Sequence, residues 1–212
     1  MRQDVADFIR KHSHLLNGNG GLDELYEKFI TYVGEGFELT MALQDCGVNP
    51  LNYLKGIPEE FMMNNDDLAE IIIPKNVTEI NNRAYFGCWD ASYLEWHDNI
   101  NYIGQEAFRG CQSLSEVILP KSVSTISEGC FEGCEALEKV VLPKSISHID
   151  RNAFTRCSSL HAIHYDGRMS EFRNYVTLAN NWKQSSAIKK IICKDGELDA
   201  PNYWVRMSTK TP

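Results

Sequence analysis

The chain has 212 residues, of which 43% are hydrophobic and 24% are charged, and its formal net charge at pH 7 is −8. This composition is that of a globular protein with enough apolar residues for a core, and no apolar run is long enough to cross a membrane. The basic residues are scattered and the isoelectric point is about 5.3, so direct binding to DNA or RNA is not expected.

The N-terminal segment, residues 1–55, is an acidic block in which apolar residues recur at helical spacing. Residues 1–67 carry 12 acidic and 5 basic side chains. Three short amphipathic helices are predicted, at residues 4–16, 22–33 and 37–46. We expect them to form a helical cap over the edge of the following array, near Leu68. An alternative is that their acidic outer face binds a partner directly or mimics nucleic acid.

The first ten residues contain two acidic side chains, Asp4 and Asp7, and no apolar stretch of signal-peptide length. This pattern is atypical of a secretory signal. We therefore expect a cytoplasmic protein, located in the host cytoplasm if the chain is encoded by a phage.

Residues 56–166 contain a motif that recurs every 23 residues, and such a period is typical of stacked supersecondary units. The positions that repeat are Leu68, Leu114, Leu137 and Leu160; Pro74, Pro120 and Pro143; Ile80, Ile103, Ile126 and Ile149; and Cys88, Cys111, Cys134 and Cys157. About 4.5 units are predicted, forming an α+β repeat solenoid. In the second unit we align Leu94 with the repeated leucine, which implies a three-residue insertion near residues 89–91 that a later deletion cancels. That unit also lacks the Leu-Pro step, so we expect an irregular sheet there.

Each unit is predicted to contain a short strand, a second extended piece and a single helical turn. In the unit that begins at Leu114, alternation directs Val117 and Leu119 into a core, and Pro120 ends the strand. Phe131 enters the core from the turn. The cysteine that recurs once per unit is interpreted as a buried ladder of free thiols, and neither a metal site nor disulfides are expected.

Residues 167–212 are predicted to form a C-terminal cap that closes the second edge of the array. We expect a helix over residues 169–182, a strand over residues 187–193 and a turn at Asp195 and Gly196. A final strand or tail is expected around Trp204.

The repeat words are Ile73-Pro74-Lys75, Leu119-Pro120-Lys121 followed by Phe131 and Cys134, and Leu142-Pro143-Lys144 followed by Phe154 and Cys157. With these words the array resembles leucine-rich repeats of the BspA-like, or Treponema pallidum, type, which occur in bacteria, their phages and some protists. The resemblance implies a non-enzymatic protein that binds another protein. Resemblance to phage members implies, more narrowly, an inhibitor of a bacterial defence system that blocks a host effector protein.

No catalytic residue or cofactor is predicted. The glycine-rich segment at residues 18–21 lacks the lysine and the strand of a phosphate-binding loop. His148 and Asp150 are two residues apart on a predicted strand and are expected to face solvent rather than to form a catalytic dyad.

The strand residues that point away from the core form the predicted partner-binding surface. They are Glu70, Ile72, Trp96, His97, Glu116, Ile118, Lys139, Val141 and His164. An exposed apolar column with charged neighbours is typical of a protein interface. Two alternatives remain open. The face is covered, either by the N-terminal cap or by a second copy of the chain in a homo-oligomer or virion component, or its β-branched residues lie there for strand propensity alone. The partner is expected to be a host protein or another copy of the chain.

Overall fold

A computed structural model describes residues 55–200, and the predicted N-terminal helices and the segment around Trp204 lie outside the described residues. The strands are β1 Gly56–Ile57, β2 Glu70–Ile72, β3 Glu79–Ile80, β4 Tyr93–Glu95, β5 Tyr102–Ile103, β6 Glu116–Ile118, β7 Thr125–Ile126, β8 Lys139–Leu142, β9 His148–Ile149, β10 Ala162–Tyr165, β11 Thr177–Leu178, β12 Lys190–Cys193 and β13 Gly196–Asp199, and the helix is α1 Met169–Tyr175. Within residues 55–200, no helix is long and apolar enough to cross a bilayer.

The strands form two walls of a solenoid with about five turns. The first sheet contains β2 and β4, then β6, β8, β10, β12 and β13; the second sheet contains β1, β3 and β5, then β7, β9 and β11. Neighbouring strands are parallel except that β13 pairs antiparallel with β12. The third side of each unit is a run of turns, here called the turn row. The predicted repeat solenoid is confirmed, but residues 55–200 are mostly strand with a single helix, so the predicted α+β class is not.

The second unit keeps the 23-residue register, so the predicted insertion and deletion are wrong. In the pairing of β2 with β4, Ile71 lies opposite Leu94. Ala91, which is fully buried, therefore occupies the position of Leu68. A small residue at this position made the neighbouring leucine look like the repeat residue.

Stacked aromatic rings fill the core beside the turn row. Tyr85, Phe108, Phe131 and Phe154 lie one above the other, with ring centroids 5.5–5.7 Å apart and planes within 9° of parallel. Trp182 closes the stack edge-on to Phe154 at 6.2 Å. These side chains are almost completely buried, so the stack contributes both apolar area and ring contacts to stability.

The repeated cysteines form the expected buried ladder of thiols. Each Sγ donates a hydrogen bond to the backbone carbonyl of the residue 26 positions earlier, at 3.1–3.3 Å, and the four donors are Cys88, Cys111, Cys134 and Cys157. Burial raises the pKa of Cys88 and of Cys157 to about 12. These thiols therefore link consecutive units and stay protonated.

The repeat pairing continues beyond residue 166. The helix α1 ends at Tyr175, shorter than the predicted helix over residues 169–182, because Thr177 and Leu178 extend the second sheet by pairing with β9. The predicted strand over residues 187–193 is observed as β12, and Asp195 lies in the turn that leads into β13. The antiparallel β13 is the last strand of the first sheet in the described chain.

The first sheet is interrupted between the second unit, which contains β4 and β5, and the third unit, which contains β6 and β7. In the regular pairing of β6 with β8, the backbone N–H of Leu119 donates to the Val141 carbonyl at 3.0 Å. At the interruption the indole Nε1 of Trp96 donates instead to the Ile118 carbonyl, at 2.6 Å. A side chain has replaced a ladder bond, and β4 and β6 do not pair in the described structure.

The second sheet is interrupted at the same level, between β5 and β7. Here the Ser127 hydroxyl donates to the Ile103 carbonyl at 2.5 Å, in the position where the neighbouring unit uses the backbone N–H of Asp150. The turn row is continuous, since the N–H of Phe108 donates to the Cys130 carbonyl at 3.0 Å. We call this level, where both sheets part and the turn row continues, the seam.

Removing one ring from the aromatic stack should destabilise the fold strongly. We expect Phe131→Ala to lower the free energy of unfolding by about 3–5 kcal/mol, because the ring is fully buried between two others. Phe131→Leu, which keeps most of the volume, should cost less. Equilibrium urea unfolding measures both, and equal costs would contradict the stack's contribution.

The described cysteines should resist alkylation in the folded protein. All six are free and buried, and the thiolate is the reactive species. A Cys46→Ser variant retains only the six described cysteines. We expect iodoacetamide at pH 8 to label these six slowly in the native protein and completely in urea. Mass spectrometry counts the adducts, and rapid native labelling of Cys111 or Cys134 would contradict the ladder.

Candidate protein-binding face

The outward side of the first sheet presents two rows of side chains. One row contains Glu70, Tyr93, Glu116, Lys139, Ala162 and Lys190; the second contains Ile72, Glu95, Ile118, Val141, His164 and Ile192. The second row is largely apolar, and Ile72 and Ile118 are 51% and 54% exposed. Ile118 and Val141 lie side by side on adjacent strands, and Ile72 lies beyond Glu95 in the same row, so the row presents an apolar strip that Glu95 interrupts.

Ion pairs surround this apolar row. The Lys139 ammonium lies 2.5 Å from the Glu116 carboxylate, within the first row. At the end of the sheet Lys194 lies 2.6 Å from Asp166, and that contact lowers the pKa of the Asp166 carboxyl. Paired charges beside an apolar strip reproduce the polar rim and apolar centre of protein interfaces.

Seven of the nine predicted face residues point outward, and Trp96 and His97 do not. The register places Trp96 at the inward position of Ile73, where its ring packs edge-on against Phe108 at 5.7 Å. His97 occupies the position of a repeat proline, and its Nε2 lies 2.8 Å from the Pro74 carbonyl oxygen. The assumed insertion caused this error, because it moved the second unit out of register.

Sequence reasoning missed several residues of the face, among them Tyr93, Glu95, Lys190 and Ile192. Tyr93 and Glu95 are the outward residues of the second unit, and Ile192 extends the apolar row by one strand. Subtracting 23 from the positions of Glu116 and Ile118 would have found the first two. Ile192 carried a weaker signal because the unit that precedes it is longer than 23 residues.

A cleft of about 520 Å³ opens at the seam between β4 and β6. Its lining residues are Ser92, Tyr93, Leu94, Glu95, Trp96, His97, Asp98, Ser115, Glu116, Ile118, Leu119, Pro120 and Lys121. A smaller hollow of about 270 Å³ lies further along the same face, beside Val141, His164 and Ile192. The cleft exists because the two strands part there.

The carboxylates around the cleft differ in their partners. Asp98 forms an ion pair with Lys121 at 2.8 Å, and this hydrogen bond lowers the pKa of the Asp98 carboxyl. Glu95 accepts a hydrogen bond from the Tyr93 hydroxyl at 3.1 Å, which raises the pKa of Tyr93. Within residues 55–200, neither Glu95 nor Glu70 has a cationic partner. Among the described residues, Glu95 in the cleft lining and Glu70 beside it are therefore the carboxylates of this region that no cation pairs with.

His148 and Asp150, the pair that the sequence predicts to face solvent, lie next to each other on the second sheet. His148 Nε2 lies 3.3 Å from an Asp150 carboxylate oxygen, and both side chains are more than a third exposed. This contact is a surface ion pair or hydrogen bond. Among residues 55–200, no three metal-ligating side chains lie together.

Three solved structures have a similar fold. A leucine rich cell surface protein from Faecalibacterium prausnitzii A2-165 has 22% identity over 68% of this chain and a TM-score of 0.50. A leucine rich repeat protein from T. pallidum has 24% identity over 61% of this chain and a TM-score of 0.51. A leucine-rich repeat protein from Eubacterium ventriosum ATCC 27560 has 19% identity over 69% of this chain and a TM-score of 0.51. The match spans 36%, 64% and 45% of those chains, respectively. At such identities the likeness shows the fold.

The family comparison covers more than half of the chain. The BspA type leucine rich repeat region matches residues 55–181 in six copies, which is the range that contains the stacked units. No curated protein matches the chain significantly. The chain belongs to the BspA-type leucine-rich repeat family.

Proposed function

We propose that this chain is a non-enzymatic protein-binding module whose contact surface is the outward face of the first sheet. The observation that carries the proposal is the outward apolar row, in which Ile72 and Ile118 are exposed and Val141 is half-buried, with ion pairs beside it. Leucine-rich repeats are in general binding modules, and the fold therefore suggests protein–protein interaction. Burial of an aliphatic strip of this kind favours association, and the charged rim restricts which partner fits.

A cytoplasmic location is part of this proposal, and the cysteines support it. The six cysteines of the described range are all free. Free thiols are typical of proteins that act in a reducing compartment. No cofactor enters the proposed function.

Charge introduced into the apolar row should abolish partner binding. We expect an Ile72→Asp/Val141→Asp double variant to weaken binding at least about tenfold, because two carboxylates would lose water at the interface. The tagged protein is used to capture a partner from a bacterial lysate, the partner is identified by mass, and its affinity for each purified variant is then measured.

Tyr102→Asp is the matched control. Tyr102 is 43% exposed on the second sheet, so this substitution adds charge to a similarly exposed site away from the proposed contact surface. Unchanged affinity in the double variant, with both variants folded, would contradict the proposed face. A partner retained by the double variant would direct attention to the acidic residues 1–55.

A second copy of the chain is the main alternative partner, as in a homo-oligomer or a virion component. Sedimentation of the purified protein at low concentration decides between these partners. A monomer leaves the face free for another protein, whereas a stable oligomer that the Ile72→Asp/Val141→Asp variant dissociates would assign the face to self-association. The acidic-mimic alternative predicts binding that weakens steeply with salt, while an apolar contact tolerates salt.

The narrower role that we propose is inhibition of a bacterial defence system by a phage-encoded protein. Resemblance to phage and bacterial members of the family supports it. Expression of the chain in bacteria that each carry one defence system should restore phage plating in at least one strain. Unchanged plating in every strain tested would contradict this role and leave the protein-binding module intact.

A further inference from the structure

We propose that the cleft at the seam binds an extended peptide segment that carries lysine or arginine side chains. The inference deepens the proposed function, on which it rests, because it names one chemical class of partner and a site beside the apolar row. The unpaired strand edge, the charge and the size of the cleft support it.

The strand edges at the seam retain polar backbone groups without ladder partners. The backbone N–H of Ile73 donates to the Glu95 carbonyl at 2.8 Å, but the equivalent N–H of Trp96 forms no such bond with Ile118, whose carbonyl binds the indole. Unpaired groups on a strand edge bind extended peptides by adding main-chain hydrogen bonds. Within the described residues, the N–H of Trp96 is therefore a backbone donor at the cleft that the regular units do not leave without a ladder partner.

The charge of the cleft selects the peptide. Glu70 and Glu95 flank Tyr93 on the outward face and lack cationic partners in the described chain. Glu95 lines the cleft and Glu70 lies beside it, whereas the other two lining carboxylates, Asp98 and Glu116, are already paired with lysines. A lysine or arginine side chain would pair with the free carboxylates, and its alkyl stem would lie against the tyrosine ring.

The size of the cleft fits a few residues of a peptide. Its volume of about 520 Å³ lies within the range that concave ligand sites occupy and is too small for a folded domain. Ile118 forms part of the wall and is 54% exposed, so an aliphatic side chain of the peptide has an apolar contact there. The preferred segment therefore carries both basic and aliphatic residues.

The probe is a pair of acetylated, amidated hexapeptide pools in which alternate positions are fixed as Lys or Arg in one pool and as Asp or Glu in the other. Valine, isoleucine and leucine occupy the remaining positions. The full chain is immobilised and the retained peptides are quantified by mass spectrometry. We expect the basic pool to be enriched at least about tenfold over the acidic pool.

Three variants test whether the enrichment comes from the seam. Glu95→Lys should abolish it by reversing the charge, and Glu95→Gln should reduce it less. A Trp96→Leu/His97→Pro variant restores the Leu-Pro step of the regular units, so the strands should pair and the cleft should close. Thermal unfolding checks that each variant folds. The Trp96→Leu/His97→Pro variant should be at least as stable as the natural chain.

Failure of this inference is distinguishable from failure of the proposed function. Ile72 and Val141 lie outside the cleft lining, so the Ile72→Asp/Val141→Asp variant should keep peptide enrichment even where it loses a captured partner. Absence of basic enrichment in the natural chain, or enrichment that persists in both Glu95→Lys and the Leu-Pro variant, would overturn the seam site.

Discussion

Parallel stacking of equivalent residues at a constant spacing is the interaction on which the rest of this structure depends. The ring centroids of Tyr85, Phe108, Phe131 and Phe154 repeat at 5.5–5.7 Å, and each ladder thiol donates to a carbonyl of the preceding unit. Because every unit must present the same atoms at the same height, a unit can change length only where it bulges outward. The longer unit before β11 does so by forming the helix α1 at the surface.

The seam shows what happens when a unit keeps its length but changes its composition. Trp96 stands where the neighbouring units have Ile73 or Leu119, and its indole reaches the Ile118 carbonyl in place of the backbone amide. The two sheets part while the turn row, with its rings and thiols, remains continuous. The change at Trp96 therefore accompanies the loss of ladder bonds and the opening of a cleft, which Glu95 lines without a cationic partner in the described chain.

The 23-residue period was sufficient to predict the solenoid, the inward residues and the thiol ladder, because each depends on repetition along the sequence. The period also predicted the outward-facing residues correctly wherever the register was regular, as at Ile118 and Val141. Trp96 and His97 were misplaced because Ala91 gave too weak a signal to fix the register of the second unit. The seam itself depends on a tertiary hydrogen bond from an indole, which no periodic pattern encodes.

At one level of an otherwise continuous stack, a side chain replaces the backbone ladder. Amide hydrogen exchange resolved by NMR tests this replacement directly by comparing two equivalent backbone N–H groups, those of Trp96 and Leu119. We expect rapid exchange at Trp96 and strong protection at Leu119, whose N–H donates to the Val141 carbonyl at 3.0 Å. Equal protection of the two amides would contradict the seam, because it would mean that β4 and β6 pair like their neighbours.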